Sequence, residues 1–279
     1  MKVVLFCGGQ GLRIRDYSDD VPKPMIKVGY RPILWHIMKY YAHFGHRDFI
    51  LCLGYKADVI KNYFLNYNEC ISNDFVLTEG GGKLELLQTD VQDWRITFVD
   101  TGMEACIGER LCAVQPYLEN EDYFLANYAD CVTDYNLNEM IARFQAAPEQ
   151  VACFLSTPPN YSFHIIHSDD DGSVCEIEPA RSANMWINGG FFVLHKDIFD
   201  YMKPGEDLVD EPFRRLIDER RLMNVQHKGF WACMDTFKEQ RSLDQLYSRG
   251  EARWAVWDAG QQTPVDSPQG AASRTKLVE

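Results

Sequence analysis

A chain of 279 residues, 46% hydrophobic and 25% charged, carries enough apolar material for one large domain or two small ones and has the balance of an ordinary globular protein. Its net charge of −13 argues against broad binding to nucleic acid or to an anionic membrane, though not against one local phosphate pocket. No run approaches the roughly 18 apolar residues of a membrane span.

Taken in chain order, Val3–Cys7 is a continuous apolar run, as in a strand buried on both faces. It ends in Gly8-Gly9-Gln10-Gly11. Helical apolar spacing follows Pro32 over Ile33–Phe44, a second buried strand covers Phe49–Leu53, and Ala57–Tyr67 reads as a helix. This strand–helix alternation implies a parallel, doubly wound sheet. Phe75–Thr78 and Ile96–Asp100 read as strands, with a turn at Gly80-Gly81-Gly82. Gly108–Tyr117 is a predicted helix, Tyr123–Tyr128 a strand and Leu137–Ala146 a helix. Val151–Ser156, His164–His167 and Val174–Glu178 are predicted short strands, the last two joined by a hairpin turn at Asp169-Asp170-Asp171-Gly172. Trp186–Leu194 reads as a strand interrupted by Gly189-Gly190, Asp210–Glu219 as a helix, Phe230–Met234 as a strand and Thr236–Ser248 as a helix. Residues 1–258 therefore form the folded domain. Residues 259–279, rich in Gln, Pro, Ser, Ala and Gly, form a predicted disordered tail.

The nine cysteines (Cys7, Cys52, Cys70, Cys106, Cys112, Cys131, Cys153, Cys175, Cys233) are odd in number and form no C-x-x-C. They also lack the clustered Cys/His spacing of a zinc site, so they read as free, buried thiols in a reducing compartment. With no signal peptide in view, a cytoplasmic setting is expected.

The glycine-rich loop after the first strand is the clearest chemical signal. Glycines let the backbone approach a ligand and present bare N–H groups that suit phosphate oxygens. The loop matches neither the dinucleotide fingerprint, whose third glycine position holds Ile14, nor the Walker A pattern. Arg13 and the proline-flanked Lys23 add two cations that could neutralise a triphosphate. The alternative is a polar surface loop with a solvated lysine. Asp130 and Asp235 each stand where an apolar strand opens into a loop, and two converging carboxylates with triphosphate oxygens would suit Mg²⁺. Either one alone could equally be a turn residue or a helix N-cap, Asp235 before Thr236 especially. His164 and His167 suit sheet packing better than catalysis. Trp35, Tyr40, Tyr41 and Phe44 suit the core or an interface, and Asp16 to Asp20 a solvated loop.

Several segments, in this order over residues 1 to about 257, resemble the sugar-1-phosphate nucleotidyltransferase family, the glucose-1-phosphate cytidylyltransferase branch above all. They are Gly8-Gly9-Gln10-Gly11-Leu12-Arg13, Pro22-Lys23-Pro24-Met25, Pro32 to Met38, Gly54-Tyr55-Lys56, Val99-Asp100-Thr101-Gly102, Gly108-Glu109-Arg110-Leu111, Ile187 to Phe192, and Gly229-Phe230-Trp231 with Met234-Asp235-Thr236. The resemblance implies a three-layer α/β/α Rossmann-like fold of the glycosyltransferase-A type, with a mixed, mainly parallel sheet. It implies an enzyme that uses Mg²⁺ to couple CTP, or another NTP, to a sugar-1-phosphate and releases pyrophosphate, acting as a homo-oligomer. By the same resemblance Gly8, Gly9, Gln10 and Gly11 hold the nucleotide, Arg13 and Lys23 bind its phosphates, and Arg110 helps hold the cytidine nucleotide. Asp130 and Asp235 bind the metal, and Asn188 contacts the sugar. Three departures stand out. Leu12 replaces a threonine, Ala129-Asp130-Cys131 replaces Gly-Asp-Gly, and Ile177-Glu178-Pro179 replaces Glu-Lys-Pro. Glu178 thus stands where the family's lysine contacts the sugar phosphate. Arg181 or Lys196 could compensate. Otherwise the sugar phosphate differs, or the chain is an impaired, nucleotide-binding regulatory homologue.

Overall fold

Unbroken apolar runs of four to six residues become the centre of a sheet, because both of their faces need cover. The computed structural model describes residues 1–9, 21–159, 163–180 and 184–258. Its strands are β1 (Val3–Phe6), β2 (Lys27–Val28), β3 (Arg31–Pro32), β4 (Asp48–Leu53), β5 (Phe75–Thr78), β6 (Lys83–Leu86), β7 (Arg95–Asp100), β8 (Tyr123–Asn127), β9 (Cys131–Thr133), β10 (Ala152–Thr157), β11 (His164–Ser168), β12 (Val174–Pro179), β13 (Ile187–His195), β14 (Leu222–Gln226) and β15 (Trp231–Cys233). Its helices are α1 (Ile33–His43), α2 (Ala57–Leu65), α3 (Ile107–Val114), α4 (Leu137–Gln145), α5 (Glu211–Asp218) and α6 (Phe237–Ser248).

Seven strands form one sheet in the order β14-β10-β13-β8-β1-β4-β7. All neighbours are parallel except β13, which runs antiparallel to both β10 and β8. The sheet is therefore mixed and mainly parallel, as expected. The period-two alternation of each central strand feeds two cores. Val3 and Leu5 of β1, Phe49 and Leu51 of β4, and Leu125 of β8 join a cluster with side chains of α1, α2, α4 and α6. Val4 and Phe6, Ile50 and Cys52, and Phe124 and Ala126 join a second cluster with α3 and α5. Each Val, Leu, Ile or Phe among them contributes about 1.5–3 kcal/mol on withdrawal from water, which makes the sheet the rigid platform of the molecule.

The predicted helices and long strands appear with shifts of one to three residues at their ends. Trp35, Tyr40 and Tyr41 are core residues of α1. The hairpin expected at Asp169 to Gly172 joins β11 and β12, with Gly172 at φ +86°. The expected break at Gly189-Gly190 is a register shift within the continuous strand β13, where Gly190 takes φ +76°. A Cβ on Gly190 would come within 2.6 Å of the Tyr128 ring, so glycine here lets Tyr128 lie against the strand. Strands β2, β3, β6, β9 and β14 were not expected. The first four are too short for a legible period, and β14 is an edge strand of weak alternation. Only four cysteines are buried, Cys7, Cys52, Cys131 and Cys153; Cys112 and Cys175 are exposed, which corrects the reading that all are core thiols. The tail at 259–279 and the acidic stretch at Asp16 to Asp20 lie outside the described residues. Among the described residues no helix is long and apolar enough to cross a membrane.

Candidate active site

The carboxyl ends of β1 and β8 lie side by side, since Leu5 of β1 pairs with Asn127 of β8. In open α/β sheets this edge is where ligands bind. The chain leaving β8 turns at Ala129, which adopts a left-handed φ of +63° although it carries a Cβ. Its N–H is held by the Asn127 side chain at 2.8 Å. Asp130 follows, and then β9, which pairs antiparallel with β15 so that Cys131 faces Cys233 and Ala232 faces Val132. The Met234 amide donates to the Asp130 carbonyl at 3.0 Å. This small two-stranded ladder joins residues about a hundred positions apart and brings Asp130 beside Asp235.

The helix that follows explains why the Asp235 carboxylate is available. Thr236, not Asp235, is the N-cap of α6, in a capping box with Glu239. The Glu239 carboxylate also accepts from the Asp235 amide at 2.8 Å. Asp235 is thereby fixed by its backbone while its side chain reaches Lys23.

Lys23 opens a short 3₁₀ turn between Pro22 and Pro24, in which Pro24 and Met25 are buried and the Ile26 amide donates to the Lys23 carbonyl. The Lys23 ammonium donates to Asp130 Oδ2 at 2.5 Å and to Asp235 Oδ1. The three side chains are mostly shielded, at 13%, 17% and 34% exposure. Burial alone would pull the Lys23 ammonium down. The Asp130 charge, the nearby Cys233 and hydrogen bonds to both aspartates outweigh it and hold the group above the ordinary lysine value. Three residues named from sequence, one cation and two anions, thus meet at one point. That point concentrates negative charge around a cation, which is the donor set a hard divalent ion uses.

Other expected site residues are placed as follows. Gly8 is buried, and a Cβ there would fall 2.0 Å from an Arg110 nitrogen, so only glycine lets the guanidinium pack against the loop. Arg110 itself is 3% exposed. It donates to the carbonyls of Leu53, Gly102, Gly8 and Met103 and to Thr101 Oγ1. The resemblance implied that Arg110 helps hold the cytidine nucleotide; in the structure the guanidinium ties together the ends of β1, β4 and β7 and braces Gly8. Gly9 is exposed, with open space where a Cβ would sit. Gln10, Gly11 and Arg13 lie outside the described residues, as does Arg181. Asn188 donates to the Tyr128 hydroxyl at 3.0 Å and accepts from the Gly190 amide. Glu178 pairs across the β11–β12 hairpin with His167 Nε2 at 3.0 Å. Lys196 pairs with Asp122 at 2.7 Å, at the amino end of β8, so it is not a counter-charge for Glu178.

Sequence reasoning missed three neighbours of this centre. Tyr128 sits between β8 and β13, and Cys131 and Cys233 flank the aspartates. The strand-end position of Tyr128 was a usable signal. Nothing in the spacing of the two cysteines foretold that they meet.

Comparison with known proteins gives the family. A model of the nucleotidyl transferase family matches residues 2–239. This chain belongs to the nucleotidyl transferase family. It is 36% identical over 259 residues to the probable glucose-1-phosphate cytidylyltransferase of Bacillus subtilis, an alignment covering 92% of this chain and all of that one. It is likewise 36% identical, with the same coverage, to the glucose-1-phosphate cytidylyltransferase of Salmonella typhi. Among solved structures, the UTP-bound UGPase from Acinetobacter baumannii superposes with a TM-score of 0.68 at 17% identity, covering 93% of this chain and 97% of that one. A UDP-glucose pyrophosphorylase complexed with UDP-glucose gives 0.65 at 15% identity, covering 89% and 98%. These two likenesses bear on the nucleotidyltransferase fold.

Proposed function

We propose that this nucleotidyl transferase couples CTP to glucose 1-phosphate, releasing pyrophosphate and forming CDP-glucose. The observation that carries the proposal is the meeting of Lys23 with Asp130 and Asp235 at the carboxyl edge of β8, beside the glycine loop that leaves β1. The two relatives named for glucose-1-phosphate cytidylyltransfer support the choice of base and sugar.

The reaction asks little covalent work of the protein. An oxygen of the sugar phosphate attacks the α-phosphorus in line, the bond to the bridging oxygen breaks, and pyrophosphate departs. Positioning and charge neutralisation therefore carry the rate. Backbone N–H groups of Gly8 to Gly11 would line the triphosphate, with Arg110 fixing that loop through Gly8. Lys23 and Arg13 would neutralise phosphate oxygens. Asp130 and Asp235 offer oxygen donors to Mg²⁺, which when bound supplies further charge neutralisation at the triphosphate. Lys23 would then leave one of its two carboxylates to meet a phosphate, a short move for a flexible ammonium. Asn188, braced by Tyr128, would face the sugar.

The test is to incubate the protein with each NTP, Mg²⁺ and a panel of sugar-1-phosphates and to measure pyrophosphate. Release with CTP and glucose 1-phosphate above all other pairs is the expected result. Release with no pair would refute transferase activity. Release with a different sugar phosphate would refute the choice of glucose and point to Glu178 as the residue that altered it.

A further inference from the structure

Two thiols that the sequence keeps 102 positions apart meet at this centre on the ladder between β9 and β15, where Cys131 and Cys233 are direct antiparallel partners. Their Sγ atoms and a carboxylate oxygen of Asp130 all lie within 4.8 Å of one another. Cys131 is buried, and Cys233 and Asp130 are half-buried. The two oxygens of Asp130 are divided between two neighbours. Oδ2 takes the Lys23 ammonium at 2.5 Å, while the Cys131 thiol lies 3.0 Å from Oδ1. An ion on the thiol side would therefore leave the Lys23 contact in place.

We propose that Asp130, Cys131 and Cys233 form a thiophilic metal site that takes one borderline or soft divalent cation, such as Zn²⁺ or Cd²⁺. Tetrahedral zinc bonds of about 2.3 Å to sulfur and about 2.0–2.2 Å to oxygen require ligand atoms roughly 3.5 Å apart, which modest side-chain rotation reaches from the present spacing. Two thiolates and one carboxylate are three protein ligands, and the fourth position is left to water or to a substrate oxygen. On binding, each thiol gives up its proton to solvent and the metal takes the sulfur lone pair. Mg²⁺ demands an octahedral shell of oxygens and has no use for these sulfurs, so the site selects by softness. A small cavity of about 110 Å³, lined in part by Cys233, Asp235 and Glu239, gives an approach from the α6 side. Because Asp130 would serve both cations, occupation by the soft ion is inhibitory; that consequence rests on the proposed catalytic role of Asp130, whereas binding itself does not.

The test uses the reduced, chelator-treated full chain titrated with Cd²⁺ and, separately, Co²⁺. The expected result is a thiolate-to-metal charge-transfer absorption that saturates at one equivalent, with tetrahedral d–d bands for Co²⁺. Cys233→Ser should weaken the band and lower affinity at least about a hundredfold, since loss of a mere outer-shell partner already costs 10–100-fold. Because Cys131 is buried, Cys131→Ser risks the fold; Cys233→Ser and Asp130→Asn, checked by circular dichroism, carry the conclusion. A triple variant Cys70→Ser, Cys112→Ser, Cys175→Ser should bind as the wild type does. Absence of the band, or a band that survives in Cys233→Ser and disappears in the triple variant, would overturn the site. In a parallel arm, Zn²⁺ added over excess Mg²⁺ should suppress pyrophosphate release in the wild type at concentrations that Cys233→Ser tolerates. An intact charge-transfer band with no turnover under any condition would count against the transferase reading alone.

Discussion

Replacing Lys23 by Met keeps the aliphatic stem and removes the ammonium that joins the two aspartates. Breaking a buried ion pair typically costs about 3–5 kcal/mol, because the partner is left as an uncompensated charge. With Lys23 13% and Asp130 17% exposed, that pair lies near this regime. Asp235, at 34%, is partly screened by water, so its share is closer to that of a surface pair, about 0–1 kcal/mol. Against the loss stands the relief of burying the ammonium itself, and water entering the vacated volume will solvate the carboxylates. The net expectation is a loss of about 2–3 kcal/mol in unfolding free energy without divalent cations. A cation able to bind both carboxylates should restore much of it, by an amount that grows with the logarithm of its concentration. Urea unfolding followed by tryptophan fluorescence, with and without Mg²⁺, measures both quantities. Turnover should fall at least about 10²-fold, as for loss of one preorganised charge contact in a transition state. A stability change under about 0.5 kcal/mol, within the noise of ordinary surface substitutions, with a Mg²⁺ response no larger than that of the wild type, would refute the electrostatic role given to Lys23.

Three further outcomes follow from the supporting structure. Gly8→Ala drives a methyl group into the Arg110 guanidinium and should cost about 1–3 kcal/mol and weaken nucleotide binding, whereas Gly9→Ala, with open space around it, should leave stability unchanged; thermal unfolding and calorimetric CTP titration separate the two. His36 is fully enclosed, with one ring nitrogen 2.9 Å from the Val28 carbonyl and the other facing the Trp254 indole N–H, and burial pulls it from 6.5 down to about 4. The unfolded chain therefore takes up this proton first, and stability is lost as pH falls from 6.5 toward 4, by about 2 kcal/mol between pH 7 and 5 for this group. His36→Gln should flatten that part of the urea-unfolding pH profile, and an unchanged slope would exclude His36 as its source. Arg31, 2% exposed, donates to Ser72, Tyr63 and the Asn68 carbonyl and lies 3.7 Å from Asp90, so Arg31→Ala should cost about 3–5 kcal/mol by chemical denaturation; a loss below 1 kcal/mol would show that Lys39, Ser72 and Tyr67 together satisfy Asp90 without it.

The parts of the molecule legible in the sequence are those where one physical demand dominates. Val3–Phe6 and Phe49–Leu53 are apolar on both faces because parallel strands are covered on both, and runs this short, bounded by glycine and charge, read as strands more readily than as helices. Lys23, Asp130 and Asp235 could be named because strand ends and a proline-flanked cation are local features. Their convergence is expected from the strand-end positions and the resemblance, but the contact that produces it has no local signal, because it depends on the three-residue ladder of Cys131–Thr133 with Trp231–Cys233, too short to show a period and closed across about a hundred residues. The same ladder makes neighbours of two cysteines whose spacing shows no metal pattern. Asp235 as an N-cap was the reasonable local reading; the capping box of Thr236 with Glu239 takes that role one residue later and turns the aspartate toward Lys23. Arg110 shows the opposite limit. The resemblance marked it as a site residue, and only the fold reveals that its guanidinium is enclosed by main-chain carbonyls and Thr101.

The most direct test of the assignment is the rate of pyrophosphate release from CTP and glucose 1-phosphate by Asp130→Asn and by Asp235→Asn, compared with the wild type at saturating Mg²⁺. Each substitution keeps side-chain volume and removes one charge from the pair that meets at Lys23. A fall of at least about 10²-fold in kcat for both, with each variant still folded, is the expected result. Wild-type turnover in either variant would contradict a catalytic centre built on these two aspartates.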